Sequence, residues 1–154
     1  MSTYTYKPGL GQSAAYQVSG KPFVSGTINA KTHKPRGAAG IGPAVINFPN
    51  VTSWITIINH DSSNAVRVGF SQNGVNRKGP SPKGNYIVLG AATTNGGPAQ
   101  IGPLDLKVTQ IWLSGSTNVD VVAGLTYIDK TDINNISVSP QGANWSGSAG
   151  AQVG

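Results

Sequence analysis

The tightest constraint on the fold is a series of short runs in which apolar and polar residues alternate with period two. The clearest is 65–71, where Val66, Val68 and Phe70 point one way and Arg67, Gly69 and Ser71 the other. Only an extended strand places every second side chain on one face. Residues 104–113 repeat the pattern as one long strand, with Leu104, Leu106 and Val108 inward. Residues 119–128 repeat it again, with Val119, Val121, Ala123, Leu125 and Tyr127 on one face. Residues 52–60 carry apolar groups on both faces at their centre, as a strand covered on both sides requires. Residues 44–48 and 85–89 add two short strands. Residues 16–20 and 23–28 form a first strand region, broken at Lys21-Pro22, which suits a sheet edge.

The segments between these runs read as loops at 29–43, 72–84 and 90–103, and as hairpin-sized turns at 61–64 and 115–118. With 21 Gly, 10 Pro and no Glu, nothing in the chain supports a long helix. The expectation is an all-β chain of about eight short antiparallel strands, a β-sandwich that fits a single jelly roll. Residues 16–128 hold this domain, flanked by an N-terminal arm (1–15) and a polar C-terminal tail (129–154) without a core of its own.

Catalytic chemistry is sparsely represented. The chain has five acids and two His, and no Cys, which excludes disulfides, thiolate metal sites and a Cys nucleophile. A reducing cytosol suits such a chain. His60 stands beside Asp61, with Ser62 and Ser63 following, but sequence neighbours in a turn rarely adopt triad geometry, so an exposed polar turn is the expectation. Asp129 and Asp132, flanking Lys130, offer oxygen ligands at a spacing that is unspecific for a metal site, and no cofactor motif is present; the stretch Thr94-Asn95-Gly96-Gly97-Pro98 lacks the Lys-Ser/Thr ending of a phosphate loop. The chain reads as a non-enzyme. No window is apolar enough for a membrane-spanning helix, and the start, MSTYTYKPGLGQ, carries no apolar core of a signal peptide.

Charge is unevenly placed. Nine of the eleven Lys and Arg precede residue 84, against the single acid Asp61. His33, Lys34 and Arg36 in one loop, and Arg77, Lys78 and Lys83 in another, are candidate contacts to a neighbouring subunit or to nucleic acid. No aromatic is interleaved with them, as single-strand binding would favour, so direct contact with nucleic acid stays open. Trp54 and Trp112 fall within strands and read as core or inter-sheet residues. Tyr4 and Tyr6 in the arm and Trp145 in the tail are further candidate subunit contacts; Trp145 suits either a neighbour or its own domain.

From Tyr16-Gln17-Val18-Ser19-Gly20-Lys21-Pro22-Phe23-Val24-Ser25-Gly26, through INFPNVTSWITIINH, AVRVGFSQNGV, NYIVL, LDLKVTQIWL and VDVVAGLTYI, the chain resembles the small single jelly-roll capsid proteins of large icosahedral double-stranded DNA viruses. The phycodnavirus and giant-virus penton-type proteins are the members of this group that the pattern resembles. The resemblance covers residues 16–128 and is one of strand pattern and phrase. It implies a virion protein, made in the host cytoplasm, of which five copies close the fivefold vertex through loops and termini. Its partners would be its own copies, the major capsid protein and other minor capsid proteins. It implies no catalytic, cofactor or metal residues. Two other readings are a decoration or cement protein of a tailed phage and a carbohydrate-binding jelly-roll module, the latter with Tyr86, Trp112 and Tyr127 as its platform.

Overall fold

The computed structural model describes residues 20–31, 43–76, 84–93 and 96–132. Eight strands follow in order: β1 (Pro22–Ile28), β2 (Ala44–Asn47), β3 (Asn50–Asn59), β4 (Val66–Gly69), β5 (Tyr86–Leu89), β6 (Ala99–Leu104), β7 (Gln110–Ser114) and β8 (Val119–Asp129). A one-turn helix, α1 (Gln72–Asn76), sits between β4 and β5, and a 3-10 turn (Lys130–Asp132) follows β8. The strands form two four-stranded sheets, ordered β1-β8-β3-β6 and β2-β7-β4-β5, and all pairings are antiparallel. Every connection except β4–β5 passes from one sheet to the other. This makes an all-β, sandwich-like fold.

The core lies between the sheets. Ile55, Ile57, Val119, Val121, Ala123 and Leu125 enter it from the first sheet, and Val66, Val68, Ile111 and Leu113 from the second. Each of the valine, leucine and isoleucine side chains contributes about 2 kcal/mol on leaving water. Phe23 and Phe48 meet edge to face, with ring centroids 5.0 Å apart. The inward rows on β4 and the first half of β8 are those expected from alternation, and Pro22 opens β1 at a sheet edge.

Several expectations fail, each for a physical reason. The supposed long strand 104–113 is two: β6 ends at Leu104 in the first sheet and β7 begins at Gln110 in the second. Thr52 holds the crossover. Its N–H donates to Val108 O at 3.0 Å, and its hydroxyl donates to Leu106 O at 2.6 Å and accepts from Val108 N at 3.0 Å. Because the crossover stays against the core, the apolar period continues through it and hides the break. The stretch 90–103 contains β6, an edge strand in which Gly102 and Pro103 are tolerated.

The stretch 72–84 begins with α1. Ser71, expected to face solvent, is buried, and its hydroxyl caps the helix by accepting from Gly74 N at 3.0 Å. The turn at 61–64 is no hairpin, since β3 and β4 belong to different sheets; the turn at 115–118 likewise joins β7 to β8 across the sandwich. Tyr127, expected inward, is exposed, while Thr126 and Ile128 are buried. Two register shifts between β3 and β8, at 50–52 and 52–54, reverse the alternation there.

Neither strand tryptophan packs between the sheets. Trp112 alternates with the core residues Ile111 and Leu113, so it faces outward. It is buried on the face of β4 and β7 against which α1 packs. Trp54 is half-buried on the outer face of the first sheet, where its indole lies across Gly124; a Cβ at that glycine would come within 2.3 Å of Trp54 Nε1.

Candidate functional site

Tyr4, Tyr6, His33, Lys34, Arg36, Arg77, Lys78, Lys83 and Trp145 all lie outside the described residues. What the structure assembles is a polar corner at one end of the sandwich, where the crossovers 60–65 and 115–118 meet residues 90–93 at the start of a third. Asn59, the last residue of β3, is fully buried and all its polar capacity is used. Its Nδ2 donates to Asn64 O at 2.9 Å and to Gly90 O at 2.7 Å. Its Oδ1 accepts from Ser116 Oγ at 2.7 Å and from Asp61 N at 3.2 Å.

Asp61 is the second hub. Its Oδ1 accepts the N–H groups of Ser63 and Asn64, each at 2.9 Å, the short-range pattern that Asp favours in turns. Its Oδ2 accepts from Thr117 N at 2.9 Å and Thr117 Oγ1 at 2.6 Å. Ala92 N donates to the backbone oxygen of Asp61 at 2.9 Å, which ties in the third crossover. The Thr117 hydroxyl and N–H, then the Ser63 N–H and the Asn64 side chain, hold the Asp61 carboxyl well below the usual carboxylate range, against the opposing effect of burial. A carboxylate so fully engaged by donors is a structural latch and has little capacity left to act as a base.

A pH dependence follows. Because the folded-state value is depressed, the latch's contribution is complete above the unfolded carboxylate value of about 4. It declines as pH drops below that value and is gone once the folded carboxyl protonates. Thermal melts between neutral pH and about pH 2 should therefore show the difference in Tm between wild type and Asp61→Asn shrinking steadily below pH 4. A difference that stays constant with pH would show that the charge of Asp61 contributes nothing.

The sequence pair His60–Asp61 is not a pair in space. His60 Nε2 meets Asp120 Oδ2 at 2.9 Å on the surface, and Asp61 turns into the corner. Asp129 Oδ1 accepts from Thr131 N at 2.9 Å and Thr131 Oγ1 at 2.7 Å, capping the 3-10 turn. Among the described residues no cluster of three His, Asp or Glu converges as a metal site, and no helix is long and apolar enough to cross a membrane. Tyr86, Trp112 and Tyr127 do not form one platform: Trp112 is buried, Tyr86 lies under the Arg67 guanidinium, and Tyr127 belongs to the other sheet.

The exposed apolar side chains are the feature that sequence reasoning missed. Val24 is 68% exposed on β1, and Ile87 and Val88 are 40% and 59% exposed on β5. β1 ends the first sheet and β5 the second. β5 lies beside β6, the other end of the first sheet, so β1 and β5 border opposite sides of the sandwich. In sequence, Val24 and Val88 look like any other strand valines, and no signal separates them from core positions. No family model, curated protein or solved structure matches the chain.

Proposed function

We propose that the chain is a structural virion protein, a single jelly-roll penton subunit that closes the fivefold vertex of an icosahedral double-stranded DNA virus capsid. The observation that carries this reading is the strand order. β1 pairs with β8, β2 with β7, β3 with β6 and β4 with β5. These are the pairings of one long hairpin rolled across two sheets, and the added contacts β3–β8 and β4–β7 close each sheet. An eight-stranded double sheet of this kind is what two Greek keys produce in a jelly roll, an architecture common in capsid shells. The resemblance in residues 16–128 points the same way. In this role the sandwich is the rigid frame, its lateral sides meet neighbouring copies, and the major capsid protein surrounds the ring.

Native mass spectrometry of the purified chain over a concentration series tests the reading. A closed pentamer at high concentration is the expected result. A chain that stays monomeric at every concentration, and does not bind purified shells lacking their vertices, would overturn it.

A further inference from the structure

We propose that the β1 side of the sandwich docks onto the β5 side of a second copy of this chain, an inference that rests on the ring-forming reading above. Each side presents a strand edge to which no further strand is hydrogen-bonded among the described residues. Such edges carry backbone donors and acceptors ready to pair with another chain. Each also carries exposed apolar groups: Val24 on one, Ile87 and Val88 on the other. Two different patches on opposite sides of one molecule join head to tail, and a head-to-tail contact is the kind that closes rings of more than two members.

The charges on the two sides are complementary. Arg67 stands on β4, one strand in from the β5 edge, in register with Val88. It meets no carboxylate among the described residues, and its guanidinium lies 5.2 Å from the centre of the Tyr86 ring, which fixes the cation in place. Asp120 stands on β8, one strand in from the β1 edge. Its Oδ1 accepts from Thr27 N at 2.8 Å and its Oδ2 pairs with His60, so it too is held. Both charges lie at the corner end of the sandwich: Arg67 is the second residue of β4, just past the 60–65 crossover, and Asp120 pairs with Ile58 near the end of β3. Rotation about an axis running along the strands preserves height, so the Arg67 of one copy comes level with the Asp120 of the next. Arginine and tyrosine, here stacked beside the exposed valine, are also among the residue types that dominate binding energy at interfaces.

The absence of cysteine makes a direct test possible. Val24→Cys and Val88→Cys are prepared as separate full-length chains; both positions are exposed, so folding is preserved. Under mild oxidation, the mixture should give a disulfide-linked dimer of one variant with the other, and neither variant alone should link. Arg67→Glu should raise the concentration at which the wild-type assembly forms by about tenfold. Linkage within a single variant, or no linkage in a mixture that still forms rings, overturns this contact and leaves the penton reading standing. A wild-type chain that never forms rings, with or without shells, overturns both.

Discussion

Replacing Asn59 with Ala is expected to lower the stability of the fold by about 4 kcal/mol, from the loss of four hydrogen bonds at a fully buried position. The net value of one such bond is only about 1 kcal/mol. Four such bonds account for the expected loss, which falls partly on the groups that the alanine leaves behind. The buried Ser116 hydroxyl loses its acceptor, and the partly buried bonds to the Asn64 and Gly90 carbonyls lose their donor. Three crossovers depend on this side chain and on the Asp61 beside it, so the damage extends beyond one strand end. Urea unfolding should show the loss as a lower midpoint with an unchanged slope. Adding Ser116→Ala to Asn59→Ala should cost less than the sum of the two single changes, because each removes the same bond. A loss under about 1 kcal/mol for Asn59→Ala would mean that the corner is not closed as described.

This corner also shows where sequence reading reaches its limit. Alternation finds β4 and the inward face of the first half of β8, because a two-residue period is local and survives in one dimension. The corner is built from partners far apart in the chain, such as Asn59 with Ser116 and Asp61 with Thr117, and no spacing rule joins them. The broken strand 104–113 fails for a related reason. A crossover that continues to pack against the core keeps its apolar period, and the change of sheet is written in the Thr52 hydroxyl, 54 to 56 residues away. Helix α1 is hidden because its capping serine and its buried Val75 flank a glycine that argues against a helix. At the surface the difficulty is reversed. Phe23 and Val24 are adjacent apolar residues of one strand, and alternation requires that they face opposite ways. It does not say which face is covered, so the exposed valine of the proposed subunit contact becomes visible only when the sheet is built.

Gly102→Ala is expected to cost about 3 kcal/mol, because the alanine meets both a forbidden backbone angle and a backbone collision. Gly102 has φ +119°, a region that side chains rarely enter. It also lies where the β3–β6 register shifts: Ile55 pairs with Leu104 and Ile57 with Ile101, so β6 carries an extra residue at this point. A Cβ there would come within 2.7 Å of Ile55 O and 2.9 Å of Thr56 Cα. Both are main-chain atoms of the strand that β6 pairs with, and neither can rotate away as the end of a side chain would. Relief requires β6 to part from β3, which exposes the half-buried Ile101 and Leu104 that pack against the core. Gly90→Ala is the matched control. A Cβ at Gly90 meets nothing within 4 Å, so its effect should stay within about 0.5 kcal/mol. If the two variants melt together in a thermal scan, β6 is not held against β3 in this register. If only Gly102→Ala falls, this glycine, within a stretch that reads in sequence as a loop, is the residue that allows this edge strand to form.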